Sequence, residues 1–222
     1  MIYNIYFYDK SKMHIDATEL VHNAYNKIAS DFDKTRFSLW IGVTNFLDTL
    51  PANTTLGDIG CGNGKYLPYR KDIIVQGCDI CKPLVAITKA KYPDIDVIVA
   101  NILSLPYLYK SFDNTISIAV MHHLTSVKDR KIFINELARI TKDKIMISVW
   151  ATDQDDKKLA KWTHIGNNDY IVPYMTSNNK KTVDRYYHLF EKQELIDLIG
   201  NIMTIERIWY EMNNWYIILQ VV

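Results

Sequence analysis

The run Asp58-Ile-Gly60-Cys61-Gly62-Asn63-Gly64 joins a carboxylate to three glycines spaced two apart. It follows a short apolar run, Thr55–Ile59, and precedes a segment expected to be helical, Lys65–Tyr69. Glycine at such a turn lets the backbone pass close to a ligand. A helix start behind it would offer free N–H groups. Asp79 closes the next apolar run, fifteen residues beyond Gly64. A carboxylate there can accept both hydroxyls of a ribose. Ala100-Asn101-Ile102 ends a third run, where an adenine amino group would be read. Asn101 brings an acceptor oxygen to that place without a charge.

The spacing is one residue tighter than the dinucleotide fingerprint Gly-x-Gly-x-x-Gly. It is the spacing of S-adenosylmethionine (SAM) sites. Three such signals at successive strand ends predict a SAM site. Its expected residues are Asp58, Gly60, Cys61, Gly62, Asn63, Asp79, Ile80, Asn101, Ile102 and Ala119, with Tyr25 and Arg36 beside them. Cys78-Asp-Ile-Cys81 has the form of a redox motif. It coincides with the ribose-carboxylate position, and no second pair completes a zinc site. Small buried thiols are the expected reading, with no metal.

These residues need a scaffold. Apolar runs at Thr55–Ile59, Ile73–Cys78, Asp96–Val99, Asn114–Ala119 and Lys144–Val149 alternate with helical patterns at Pro83–Lys91 and Val127–Thr141. Strand and helix in alternation predict a parallel sheet with right-handed crossovers. The fold class is α/β, Rossmann-like, with seven strands and helices on both faces. Two helices are expected in front: one capped by Asp16 or Thr18 and running to about Asp33, the other from Phe37 to Leu50. Behind lies a helix, Glu191–Ile199, with Gly200 as its terminator. Ile202–Tyr210 and Trp215–Val222 read as an antiparallel hairpin at one sheet edge. Residues 1–13 are expected to be a loose lead-in to a single domain spanning 14–222. Residues 151–190 form a substrate-side insert, whose stretch from Ala151 to Arg185 reads as polar and irregular.

Further motifs carry a family resemblance. They are Val21-His22, Tyr25-x-x-Ile28-Ala29, Thr35-Arg36-x-x-x-Trp40, and Ser117 through His122-His123 with Arg130. Val149-Trp150-Ala151 with Gln154, Val172-Pro173-Tyr174, Arg185 through Phe190, and Asn213-Asn214-Trp215-Tyr216 complete the set. Over residues 20–222 the chain resembles the eukaryotic tRNA wobble-uridine carboxymethyl methyltransferases. The same module occurs as the methyltransferase domain of the AlkB-homologue tRNA hydroxylase. The resemblance implies a class I fold and methyl transfer from SAM to the carboxylate of 5-carboxymethyluridine in tRNA. It also implies a small zinc-binding activator subunit. Arg36, Tyr186, Tyr187 and His188 are the expected clamp on the substrate carboxylate, with His122 and Trp150 lining the site. The chain departs from the family in a short link, Met175–Asp184, in Lys142-Asp143-Lys144, and in Asn101. Two other readings remain open: a small-molecule or protein carboxyl methyltransferase, and a SAM-binding scaffold without catalysis.

Composition narrows the class. The chain has 222 residues, with 26 Lys+Arg against 25 Asp+Glu, for a net charge of +1. That balance argues against a tail-driven nucleic-acid binder. Hydrophobic residues at 48% argue against disorder. Three cysteines, an odd count, suit a reducing compartment, and the cytoplasm is expected. Neither a signal peptide nor a membrane span is expected. From Lys157 to Phe190, Lys157, Lys158, Lys161, Lys180, Lys181 and Arg185 outnumber Asp169 and Asp184. Interleaved with Trp162, Tyr170 and Tyr174, they are expected to form a local RNA-binding patch.

Overall fold

In the computed structural model, residues 17–176 and 182–222 are described. The lead-in, the Asp16 cap, and Lys180 and Lys181 lie outside the described residues. Two helices, α1 (Ala17–Thr35) and α2 (Ile41–Thr49), precede the sheet. The second is shorter than its apolar stripe suggested. Phe37 through Trp40 run as loop, and Trp40 holds the N-cap with extended backbone.

The order then follows the apolar runs: β1 (Thr55–Ile59), β2 (Ile74–Asp79), α3 (Lys82–Lys91), β3 (Asp96–Val99) and β4 (Phe112–Ile118). A 3-10 turn, Met121–His123, leads to α4 (Val127–Ile140) and β5 (Thr141–Trp150). The seven-stranded sheet has the order β3-β2-β1-β4-β5-β10-β9, with β9 (Thr204–Glu211) and β10 (Asn214–Gln220). β1 to β5 are mutually parallel, and β10 is antiparallel to both β5 and β9. The strands are apolar because both faces are covered. Ile59, Ile145 and Ile147 are fully buried, and Phe133, Ile134 and Leu137 of α4 pack into the same core. α2 places Val43, Phe46 and Leu47 on the other face, against Ile116 and Met146.

Two expectations fail. Lys65–Tyr69 is a series of turns, not a helix. Its bonds are short-range, Leu67 N–H to Gly64 O and Tyr69 N–H to Tyr66 O. Pro68 has no N–H with which to continue a helical ladder. The glycine loop therefore has no helix N-terminus behind it.

The stretch Ala151–Arg185 is not irregular. After the one-turn α5 (Asp156–Leu159) it forms a three-stranded antiparallel sheet of β6 (Thr163–Gly166), β7 (Asp169–Met175) and β8 (Thr182–His188). β6 is exposed throughout, so it carries no alternating apolar signal. α6 (Lys192–Ile199) follows and stops at Gly200, whose φ is +51°.

Several family motif residues serve this architecture. Met212 and Asn213 both adopt positive φ, at +46° and +65°, as a two-residue hairpin turn requires. Gln154 Nε2 donates to Ala151 O and Asn213 O, each at 2.8 Å, tying that turn to the end of β5.

Ser126 caps α4: its hydroxyl accepts from Asp129 N–H at 3.0 Å and donates to Asp129 Oδ2 at 2.8 Å. Ser126→Ala should cost about 1 kcal/mol. Thermal unfolding should show a midpoint about 2–4 °C lower.

Candidate active site

A cavity opens at the C-terminal ends of β1, β2, β4 and β5, covered by α1 and β8. Open α/β sheets bind ligands at this edge. Its lining includes Tyr25, Arg36, Asp58, Gly60, Cys61, Gly62 and Asn63. Asp79, Ile80, Asn101, Ile102 and Ala119 line it as well, with His122, Trp150 and Tyr187 at the opposite end.

The glycine loop divides its work. Gly60 and Gly64 have φ of +82° and +72°, and a Cβ on either would sit 2.4 Å from Val120 or Thr88. Those two permit packing. Gly62, with φ +56°, would meet nothing nearer than Phe32 at 3.6 Å. It presents bare backbone to the cavity. Its N–H donates to Asp79 Oδ2 at 2.8 Å, and Cys81 N–H donates to Oδ1 at 2.8 Å. Asp79 thus locks the turn and keeps lone pairs for a ligand. Asn63 Nδ2 donates to Asp33 Oδ1 and Arg36 O, both at 3.1 Å, binding the loop to the end of α1. Ala119, a non-glycine residue, takes φ +62° at the end of β4.

Charge at this end is unsettled. Asp58 is buried, and its Oδ2 has no hydrogen-bond partner among the described residues. Burial and the neighbouring Asp79 push its carboxyl up to about 7, with Lys65 opposing. Burial also raises Asp79, against the N–H groups of Cys81 and Gly62. Lys65 is lowered to about 8 by burial, with Asp58 opposing. Cys78 and Cys81 are buried thiols pushed up to about 12 and about 11, chiefly by burial, which disfavours the reactive thiolate. Asn101 Oδ1 already accepts from Leu103 N–H at 2.9 Å, an Asx turn that orients its amide.

The other end is aromatic. Tyr187 stacks on Trp150 (4.2 Å, 25°) and on His122 (4.8 Å, 28°). Trp150 stacks in turn on Trp162 at 5.3 Å. His123 Nδ1 meets Tyr186 O at 3.0 Å, so Nδ1 carries the proton and donates. Its Nε2 therefore accepts from the Tyr25 hydroxyl at 2.9 Å. His122 Nδ1 accepts from Trp150 N–H at 3.2 Å, so a neutral ring carries its proton on Nε2. Burial drives His123 down to about 3 and His122 well below the ordinary range, so both rings are neutral.

Arg185 lies among these rings. It is 5% exposed, and its Nε is buried without a partner among the described residues. Its guanidinium sits 5.0 Å from the Tyr187 ring, 5.1 Å from Tyr174 and 5.9 Å from Tyr25. Arg36, by contrast, stands exposed at the rim, 5.8 Å from the Phe32 ring and 5.9 Å from Tyr174.

Tyr186 and His188, expected in the clamp, do not line the cavity. Successive side chains of a strand point to opposite faces. β8 sends Arg185 and Tyr187 into the cavity and turns Tyr186 and His188 toward α4 and α6, where they meet Arg130 and Glu194. Arg185, Lys65 and His123 also line the cavity, although their sequence context did not single them out for the site. Once Tyr187 was a candidate, strand period should have nominated Arg185. The basic patch is weaker than its window implied: Asp153, Asp155 and Asp156 directly precede Lys157, and Asp155 caps α5.

A mostly parallel sheet with a glycine turn after β1 and acids at the ends of β1 and β2 defines a class I SAM-dependent methyltransferase. A methyltransferase-domain family model matches residues 57–163. A tRNA (carboxymethyluridine(34)-5-O)-methyltransferase from Schizosaccharomyces pombe is 32% identical over 226 residues, covering 91% of this chain and 96% of the relative. One of the same name from Arabidopsis thaliana is 44% identical over 146 residues, covering 64% of this chain but only 36% of the relative. The matched region is thus about a third of the plant protein's length. The chain belongs to the tRNA (carboxymethyluridine(34)-5-O)-methyltransferase family. Among solved structures, a SAM-dependent methyltransferase from Methanosarcina mazei shares the fold, with TM-score 0.69, 20% identity, and coverage of 83% of this chain and 99% of that one. So does a complex of the Haloferax volcanii Trm112 methyltransferase activator with a putative methyltransferase, with TM-score 0.67, 13% identity, and coverage of 90% and 97%.

The cavity fits SAM. The unpartnered Asp58 oxygen suits an ammonium, Gly62 leaves room for close approach, and Asp79 retains acceptor capacity for hydroxyls. Because Asp58 holds its proton up to about 7, an incoming cation must first find it ionised. SAM affinity should weaken as pH falls through that value, by about tenfold per unit at the limit. Asp58→Asn should bind SAM weakly and without this dependence, as calorimetry across pH would show.

Proposed function

We propose that this chain transfers a methyl group from SAM to the carboxylate of 5-carboxymethyluridine at the wobble position of tRNA. The observation that carries this reading is Arg185. It is buried with no counter-charge among the described residues, which is costly unless a ligand supplies one. An anion entering among Tyr25, Tyr187 and His122 would meet the guanidinium there. A carboxylate is the anion in the substrate named for the relatives.

The rest of the site suits a carboxylate nucleophile. Such a group is ionised at neutral pH, so no base has to remove a proton. Neutral His122 and His123 are consistent with that: they orient and donate. SAM, when bound, supplies an electrophilic methyl whose bond to sulfur breaks as the new ester C–O bond forms. Arg185 and the His122 Nε2–H would align the carboxylate, and the aromatic walls would exclude water. Trp150 and Tyr187 offer ring faces to a uracil. Arg36, at the rim, is assigned to the cofactor carboxylate or an RNA phosphate.

Residues 14–222 would act as one domain, in the cytoplasm, where the three free cysteines stay reduced. No described helix is long and apolar enough to cross a membrane. A small zinc-binding activator subunit would pair with the free edge of β3, near the exposed Val99, Leu108 and Tyr109.

Labelled SAM and tRNA bearing carboxymethyluridine, with and without an activator, should yield a base-labile methyl ester. Arg185→Met should lower transfer by about a hundredfold or more while SAM binding stays intact. Label on protein or metabolites, or an unaffected Arg185→Met, would overturn the reading.

A further inference from the structure

Behind β8, opposite the cavity, four charged side chains from four elements converge. His188 Nδ1 lies 2.6 Å from Asp169 Oδ1, and its Nε2 lies 2.9 Å from both Glu194 oxygens. Arg130 Nη1 donates to Glu194 Oε1 at 3.1 Å, and Nη2 stands 4.0 Å from Asp169. The Tyr186 hydroxyl donates to Asp169 Oδ1 at 2.6 Å and accepts from Arg130 Nη2 at 3.4 Å. Arg130 Nε donates to Leu124 O at 3.1 Å, and the Arg130 guanidinium and His188 ring both rest on Phe190.

The geometry fixes a protonation state. An ionised carboxylate only accepts. With a carboxylate on each ring nitrogen, both nitrogens must donate, so His188 is an imidazolium. Two cations then balance two anions. A neutral ring would point a lone pair at one carboxylate. Arg130 belongs to α4, Asp169 to β7, His188 to β8 and Glu194 to α6. The quartet thus joins the small sheet to helices flanking the large one.

We infer that protonated His188 is a positioning residue: with Asp169, Glu194 and Arg130 it pins β8 so that Arg185 and Tyr187 stay turned into the cavity. The inference rests on the proposed function only where activity is read. The two facing carboxylates set the direction. Burial alone would lower His188, but the bonds to Asp169 and Glu194 raise it, while Arg130 opposes. His122 in the 3-10 turn is neutral, and Tyr186 stays protonated. Burial would raise Asp169, yet its bonds to His188 and Tyr186 hold it low. A raised imidazolium keeps its charge below the ordinary imidazole range and loses it as pH rises through the raised value. The pin therefore fails on the alkaline side.

The test uses the full chain. Nitrogen NMR should find both ring nitrogens of His188 protonated at about pH 7. A neutral tautomer there overturns the inference. His188→Asn should lower kcat/KM by about a hundredfold with SAM affinity unchanged. Glu194→Gln, which preserves shape if His188→Asn does not fold, should move the alkaline fall in activity to lower pH. An unmoved profile overturns the inference. Trp150 emission, corrected with Trp150→Phe, should change over the same alkaline range without substrate, because Trp150 stacks on Tyr187. A flat signal counts against it. Inactive wild-type protein would sink the proposed function, yet the NMR and emission readouts would still decide the pin.

Discussion

Strand β8 separates two environments that demand different chemistry. On one side is the cavity, where a guanidinium and aromatic rings wait among apolar walls. On the other is the ion quartet against α4 and α6. A strand's period of two sends odd and even residues to opposite sides. Arg185 and Tyr187 go one way, Tyr186 and His188 the other. A slip of one residue would exchange them and destroy both arrangements. The register between Asp169–Met175 and Thr182–His188 is therefore the constraint on which the site depends.

The two ends of the cavity show a shared physical signature. Among the described residues, Asp58 keeps a buried oxygen without a partner, and Arg185 a buried nitrogen without one. Proteins satisfy nearly all buried polar groups. Unmet groups of opposite sign on one cavity suit a ligand pair of opposite charge: an ammonium at one end and a carboxylate at the other. The quartet is the contrasting case. It is equally rich in charge, yet each of its members has a partner of opposite charge, which suits a structural tie.

Much of the fold was legible because its signals are local. Apolar runs bounded by Gly, Asn and Asp gave β1 to β5 to within a few residues. Two strand-like runs, Ile202–Tyr210 and Trp215–Val222, so close in the chain marked the hairpin. The failures are equally specific. Lys65–Tyr69 has helical composition, but Pro68 removes a needed donor. β6 is solvent-facing on both sides, so its residues carry no periodicity to read. The basic window at Lys157 looked strong because it began just after three aspartates. β7 and β8, which flank the short link of the family comparison, pair antiparallel from Asp169–His188 to Met175–Thr182.

The sequence alone determined the class of site. Glycines spaced by two, followed by an acid one strand later, constrain the backbone and charge whatever surrounds them. The same holds for the family motifs, which lie in short contiguous runs. Which face each motif residue shows is different. Arg185, Tyr186, Tyr187 and His188 are adjacent in the chain, and no local rule says which pair meets the ligand. Tertiary packing decided that, because α4 and α6 bring Arg130 and Glu194 to one side of β8. Tyr25 of α1 and Trp150 of β5 come to the other. Charge pairing across elements distant in sequence depends on the folded distances, and only the folded chain supplies them.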